Sequence, residues 1–326
     1  MIRIAVVGAG LMARIRAKAL VETGRAQIVA VAGRSVGRIQ ALCMELQAEP
    51  VWDGYDGLLR YKPDAVLVET PHAVQDTATF WALTHRLPVL VGGPLACSVA
   101  AGERIADEAI RRHIPVEAGF QARYMPLWED ARRALHERRL GQLVLVRSLA
   151  LWNGDPHSWY YSQSLSGGMP LTHMSYCFIN PLRWLLGEPY SIHAVAGRCA
   201  HTAPEHVQEE TVAATLCWPG GIPCSLCAGY VKPAVMNAWY VELIGTDAAL
   251  ELQPVDFEPG YAVQRRGAVQ TRIDYPADAT GFAAQAHAFL DAVEGRPEGL
   301  RNRPEAVLGD LRVAEAIVRS AAVSRS

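Results

Sequence analysis

The sequence predicts an α/β protein of two domains, a doubly wound parallel sheet followed by a second α/β domain whose strands pair mostly antiparallel. Three observations carry that expectation. Apolar runs alternate with helically spaced segments through the first 122 residues, as strands buried on both faces alternate with the helices that cover them. Beyond Glu188, strand-like runs follow one another with turn residues between them, the pattern of an antiparallel sheet. The chain has 326 residues, and at about 150 residues per domain that length suits two cores. The expected domains are 1–122 and 123–326.

The elements follow in order. Residues 2–7 form a continuous apolar run that stops at Gly8, and 11–21 change to helical spacing without Pro or Gly, so strand, tight turn and helix are expected. The pattern recurs at 28–32 with 36–46, at 65–68 with 73–84, and at 89–91 with 99–112. After Pro126 come a helix at 127–137, a strand at 143–149, an aromatic stretch containing glycines and a helical segment at 171–186. Strands are expected at 191–196, 211–217, 223–231, 239–244 and 249–252, and helices at 282–293 and 305–322.

Composition removes several functions. Half of the residues are apolar and a fifth are charged, so a packed core is expected rather than a disordered or fibrous chain. The 31 Lys and Arg nearly balance the 33 Asp and Glu, and nothing draws the whole molecule to nucleic acid or anionic lipid. A small molecule is the expected partner. No apolar run approaches the roughly 20 residues of a membrane-crossing helix. The seven cysteines are sparse and odd in number, and Met1 leads directly into the first apolar run, so a cytoplasmic location is expected.

Gly8-Ala9-Gly10-Leu11-Met12-Ala13 fits G-x-G-x-x-G/A between the first strand and the first helix. Two glycines let the backbone approach a pyrophosphate, a small residue permits close packing, and the helix N-terminus offers N–H donors to Gly8, Gly10, Leu11 and Met12's ligand. After the second strand the chain reads Gly33-Arg34-Ser35, with Arg38 one helical turn on. No carboxylate stands there to grip a ribose 2′-hydroxyl, whereas Arg and Ser can hold a 2′-phosphate. NADP(H) is the preferred coenzyme and NAD(H) the second choice. Solvated surface charge is the plainer reading of the same arginines.

The chain resembles the Gfo/Idh/MocA family of nicotinamide-dependent oxidoreductases. The likeness rests on the Gly8 loop, Thr70-Pro71-His72, Gly92-Gly93-Pro94-Leu95-Ala96, Gly119-Phe120-Gln121-Ala122-Arg123-Tyr124, Gly167-Gly168 leading into Arg183-Trp184-Leu185-Leu186-Gly187, and Ile244-Gly245-Thr246-Asp247-Ala248-Ala249-Leu250. It spans nearly the whole length and implies a Rossmann domain joined to an α/β domain with a large open sheet. It also implies a homodimer or homotetramer through that sheet. The family's usual Glu-Lys-Pro is replaced by Gly92-Gly93-Pro94. Gly93 therefore stands where the lysine would meet substrate oxygen and nicotinamide, and a glycine can exchange no proton.

The family's second motif, roughly D-x-G-x-H, falls on Leu171-Thr172-His173-Met174-Ser175-Tyr176-Cys177. Counting from the glycines puts Thr172 and Tyr176 on its two polar positions, and counting back from Trp184 puts His173 and Cys177 there. His173 and Tyr176, three apart on an expected helix, can share a face and are the preferred acid/base pair, since imidazole exchanges protons near neutral pH. Core packing is the competing explanation for both.

Thr70, Pro71, His72 and Gln75 follow a strand at the edge where open sheets bind ligands, and with Gly92, Gly93, Pro94 and Gln121 they are expected at the coenzyme. Arg123, His157, Trp159 and Thr172 are expected at the substrate, His157 also as a reserve catalyst. The aromatic group Trp152, Trp159, Tyr160 and Tyr161 suits a flat or ring-shaped substrate; packing or a subunit contact would use it equally well. Cys224 and Cys227 lie three apart in an expected strand and so face opposite ways, and no metal site is expected. Two classes of function remain open: an NADP-dependent oxidoreductase acting on a small cyclic substrate, sugar-like or a carbonyl, imine or enone, and a non-catalytic NADP-binding sensor or interaction protein.

Overall fold

The computed structural model describes residues 1–231, 239–255 and 257–323. Its contacts divide the chain into two compact units, Met1–Gln121 with Phe282–Leu308, and Ala122–Gly281 with Gly309–Ser326. A single boundary near residue 122 would have left 282–308 in the second unit. Their return to the first follows from an apolar helix that buries Phe282, Ala286, Phe289 and Leu290 in the same core as Ile2, Ile4, Ala13, Ala17 and Leu20.

In the first unit, six strands are described: β1 (Ile2–Val7), β2 (Ala26–Ala32), β3 (Glu49–Val51), β4 (Ala65–Val68), β5 (Val89–Val91) and β6 (Val116–Ala118). They pair in parallel in the order β3-β2-β1-β4-β5-β6. That is the doubly wound order, in which the strand sequence reverses direction between β1 and β4. Helices α1 (Leu11–Glu22), α2 (Val36–Leu46), α3 (His72–Thr84) and α4 (Val99–Arg112) connect them. β3 and β6 have no range in the sequence reading because Pro50 and Glu117 interrupt their apolar runs, whereas the equally short β5 is apolar throughout.

The second unit carries α5 (Pro126–His136), β7 (Leu143–Leu151), a short α6 (Gln163–Ser166) and α7 (Asn180–Leu186). It continues with β8 (Ser191–Gly197), β9 (Thr211–Trp218), β10 (Ile222–Gly229), β11 (Trp239–Gly245), β12 (Ala249–Gln253), β13 (Tyr261–Arg266) and β14 (Val269–Asp274). These strands form one eight-stranded sheet ordered β14-β13-β12-β11-β7-β10-β9-β8. Every described pairing is antiparallel except β7 with β10. The helix α8 (Phe282–Val293) and the long α9 (Pro304–Val323) close the chain.

One face of this sheet is packed and the other open. Val212, Ala214, Leu216, Leu226 and Leu243 are buried, while Thr211, Ala213, Thr215 and Ser225 between them are exposed, the alternation of a sheet covered on one side.

One expected helix differs in kind. Residues 171–186 are not one α-helix: Pro170–Ile179 is π-helical and α7 follows. Pro181 has no N–H to return to the carbonyl four residues back, so the regular ladder is not available across the junction. In the wider i→i+5 turn, residues three apart swing away from a common face. The expectation that His173 and Tyr176 share one is corrected accordingly.

Candidate functional site

Within the first unit, the reversal of strand order brings the turn after β1 beside the turn after β4 at the carboxyl edge of the sheet, where open α/β sheets bind ligands. Gly8 has φ +110°, and a Cβ there would lie 2.0 Å from the carbonyl oxygen of Glu69. Only glycine makes this turn. Gly10, the N-cap of α1, has nothing within 4 Å of where its Cβ would be, no side chain caps the helix, and its first turn holds no acid. The N–H groups of that turn are thus left for an external acceptor. Ala13 is fully buried, Leu11 is exposed, and Met12 is half-buried.

Gly33, Arg34, Ser35 and Arg38 are all exposed. Ser35 is the N-cap of α2, and its hydroxyl makes no capping bond. Arg34 lies near enough to Tyr55 for its charge to act on the phenol, although burial is the larger influence there and raises the phenol's pKa. Neither arginine forms an ion pair with a described residue, in contrast with Arg14, Arg25 and Arg60, which all do.

Around β4 and β5 the groups interlock. Gln75 is buried and its amide donates to the carbonyl of Pro94, which follows a cis peptide bond. His72 is buried at the start of α3, and Pro71 is the N-cap of that helix. A Cβ on Gly92 would meet the Glu69 carboxylate at 2.4 Å, and one on Gly93 the Phe120 ring at 3.0 Å. Two buried oxygens, Thr70 Oγ1 and Gln121 Oε1, have no hydrogen-bond partner. Buried polar atoms in native proteins are nearly always paired, which sets these two apart at this edge of the sheet.

Sequence reasoning missed Arg16 and Glu69. Arg16 Nε approaches Glu69 Oε1 to 2.7 Å, with side chains 2% and 9% exposed. Burial raises the Glu69 pKa, and the Arg16 charge opposes that. The available signals were an arginine among the buried positions of α1 and an acid directly after the apolar run of β4.

The second unit builds its site from side chains. Because β7 and β10 run parallel with Leu151 opposite Gly229, the residues that follow them, Trp152 and Tyr230, leave the sheet at one edge. Antiparallel β11 begins at that edge, Trp239 facing Ala150. His173, from the π-helical stretch, packs among these rings, 4.7 Å from Trp152, 5.1 Å from Tyr160 and 4.9 Å from Tyr230 between centroids. Trp152 and Trp239 meet edge to face at 4.6 Å.

His173 Nδ1 lies 2.7 Å from the Tyr230 hydroxyl. Burial, reinforced by Tyr160 and Tyr161, holds the Tyr230 phenol well above its ordinary pKa, so it stays protonated. A protonated phenol can donate to Nδ1, which leaves the neutral imidazole's proton on Nε2. Tyr230 and Trp239 went unnoticed in the sequence because the sheet, not spacing, brings them to His173.

Other expected residues fall elsewhere. Thr172 is buried and its hydroxyl donates to the carbonyl of Ser166 at 3.1 Å, so of the two registers it is His173 that reaches the aromatic cluster. Tyr176 is half-buried. Arg123, expected at the substrate, is buried, and its guanidinium donates to the side-chain and main-chain oxygens of Asn180 at 3.2 and 3.3 Å. His157 is exposed in a turn organised by Asp155, which accepts from the His157 N–H at 2.9 Å. Trp159 is half-buried, and its ring centroid lies 6.2 Å from that of Tyr160.

Beside the cluster, Glu210 accepts from the N–H groups of Cys199, Ala200 and His201 and from the Tyr161 hydroxyl. Burial would raise its pKa, but these donors and the His201 ring more than offset that and hold it at about 2. Cys224 is buried and Cys227 half-buried, both unbridged. Among the described residues no group of three or more His, Cys, Asp or Glu is placed to hold a metal, and no helix is long and apolar enough to cross a membrane.

Comparison with known proteins adds to this geometry. The NAD-binding Rossmann-fold model of the Gfo/Idh/MocA oxidoreductase family matches residues 2–120, and the model of its C-terminal alpha/beta domain matches residues 132–326. An inositol 2-dehydrogenase from Saccharopolyspora erythraea is 29% identical over 57% of this chain, a match that spans 54% of that relative, about half its length. Another from Rubrobacter xylanophilus is 25% identical over 88% of this chain and 79% of its own. Among solved structures, biliverdin reductase from Synechocystis, in complex with biliverdin and NADP+, superposes with a TM-score of 0.83 at 21% identity, covering 98% of this chain and 99% of the other. At that identity the likeness speaks for the fold.

Proposed function

Since the chain belongs to the Gfo/Idh/MocA oxidoreductase family, we propose that it is an NADP-dependent oxidoreductase acting on a small ring-shaped substrate. The observation that carries the reading is the pair of adjoining turns at the sheet's reversal point, where Gly8 admits no side chain and Thr70 Oγ1 and Gln121 Oε1 remain unpaired. The residues fit a pyridine nucleotide. Gly8, Gly10 and the first turn of α1 would hold its pyrophosphate, Arg34, Ser35 and Arg38 a 2′-phosphate, and Thr70, Gly92, Gly93 and Gln121 the nicotinamide half. When bound, that coenzyme supplies or accepts a hydride.

The protein's own part is proton exchange and orientation. His173 serves as the acid or base through Nε2, with Tyr230 holding Nδ1. Tyr176 is the second acid/base candidate. The rings of Trp152, Tyr160 and Trp239 offer apolar faces with polar tips, suited to stacking on a cyclic substrate. Sugar-like rings and carbonyl, imine or enone groups all meet that requirement. The outward row of exposed Val195 and Ala213 and half-buried Cys227, Leu149 and Tyr240, continuous across five strands, suits pairing with a second copy of the chain. Light scattering that returned a monomer would contradict this last part.

The test of function is a calorimetric titration with NADPH and NADH, followed by a search for hydride transfer from NADPH to metabolites of a cell extract. Tight NADPH binding with metabolite-dependent oxidation is expected. One observation favours a second reading: Gly93 brings no ammonium group and its backbone lies against Phe120. NADPH binding without any metabolite-dependent oxidation would assign the protein to a sensor or interaction role instead.

A further inference from the structure

We infer that Glu69 is a positioning residue for the coenzyme loops, setting the Gly8 turn through its main-chain oxygen and the Gly92-Gly93-Pro94 turn through its carboxylate. The inference rests on the reading that these loops hold a pyridine nucleotide.

Five contacts support it. The carbonyl oxygen of Glu69 stands 2.0 Å from where a Gly8 Cβ would be, and its Oε2 stands 2.4 Å from where a Gly92 Cβ would be. One residue therefore excludes a side chain at Gly8 by its backbone and fills the space beside Gly92 with its carboxylate. Its backbone N–H donates to Val7 at 2.7 Å, and the Gly92 N–H donates to Val68 at 2.7 Å, so the three strand ends are laced together in β-ladder fashion. The carboxylate is held in turn by Arg16, whose Nε lies 2.7 Å from Oε1.

Arg16 is itself anchored on every side. Its guanidinium donates to Gln285 at 2.7 Å and to the carbonyl of Gly119, and lies over the Phe282 ring at 5.2 Å. A Cβ on Gly119 would strike both that guanidinium and the backbone nitrogen of Gly93, each at 2.9 Å. The ion pair thus reaches the Gly92–Pro94 turn from two directions. The charge of Arg16 and its side-chain contact both act on the Glu69 carboxylate against the effect of burial. Removing either partner would strand the other's charge in the interior.

The space that a side chain at position 92 would enter thus holds a carboxylate that arrives from the end of β4.

The experiment is a four-variant set on the full chain: Glu69→Ala, Glu69→Gln, and Glu69→Ala combined with Gly92→Glu or with Gly92→Gln. NADPH affinity by calorimetry and melting temperature are measured for each. Glu69→Ala and Glu69→Gln are expected to weaken NADPH binding by about tenfold or more, the loss of a buried charge contact. Gly92→Glu in the Glu69→Ala background is expected to recover most of the lost affinity, and Gly92→Gln, which fills the space without the charge, to recover little. Affinity within about twofold of wild type for Glu69→Ala, or equal rescue by Gln and Glu, would overturn the inference. If Glu69→Ala does not fold, Gly92→Ala in the otherwise native chain decides: weaker binding supports the role, and unchanged binding and melting refute it. Should the native chain bind neither coenzyme, the functional reading fails by itself, and coupling between residues 69 and 92 is still read from the melting temperatures.

Discussion

The two candidate regions are made of different materials. The carboxyl edge of the first sheet is shaped by backbone: at Gly8 and Gly92 neighbouring main chain and one carboxylate come close, and the start of α1 offers N–H groups. The aromatic edge of the second sheet is shaped by side chains, with His173 packed among Trp152, Tyr160 and Tyr230. A backbone site serves a ligand common to many proteins, because phosphate asks only for N–H donors and room. A side-chain site can change its substrate by exchanging a few rings while the scaffold stays.

The contrast can be broken most forcefully at Gly8. Gly8→Ala places a methyl group 2.0 Å from a carbonyl oxygen at φ +110°, so loss of coenzyme binding and about 3 kcal/mol or more of stability is expected. Gly10→Ala meets nothing within 4 Å and should melt like the wild type while binding coenzyme less well. Calorimetry and thermal melts on both separate the two glycines; equal melting temperatures for both variants would contradict the geometry.

Next comes His173→Phe, expected to lower turnover by about 100-fold with NADPH affinity unchanged, since the ring is not part of the nucleotide loops. Tyr230→Phe removes only the hydroxyl at Nδ1 and should cost about tenfold. Steady-state kinetics on these and on the His173→Phe, Tyr176→Phe double variant test the assignment; full activity in the double variant would reject it.

Smaller still is the effect of Arg34→Gln with Arg38→Gln. NADPH affinity should fall by about 10- to 30-fold, the range of a charge-assisted contact, with NADH affinity and melting temperature unchanged because both arginines are exposed. A native chain that binds NADH as tightly as NADPH would remove the preference altogether.

The mildest expectation concerns stability alone. Glu210 is held at about 2 against an ordinary 4.5. A carboxyl depressed on folding contributes stability above its unfolded pKa and loses it as pH falls through the folded one. Melts should therefore show a Glu210-dependent loss from about pH 4.5 down to about 2. Glu210→Gln should flatten that part of the profile and leave NADPH binding at neutral pH intact.

What could be read along the chain follows the same division. The Gly8 loop was legible because the turn, the helix start and the buried Ala13 are contiguous, and each constraint acts within six residues. The strands β1, β2, β4 and β5 were legible through continuous apolar runs. His173 could be picked out, but not its surroundings, since Tyr230 is 57 residues away. Its proposed sharing of a helix face with Tyr176 gave way to the π-helical turn before Pro181.

The sequence by itself determined the alternating architecture of the first unit, the glycine turn and the exposed arginines, because these depend on local period, backbone freedom and solvation. Only the tertiary structure decided that Arg123 is buried on Asn180, that α8 completes the first core, and that Glu69 occupies the space beside Gly92. Those outcomes depend on which elements lie next to each other, and no stretch of sequence short enough to read as a motif contains both partners.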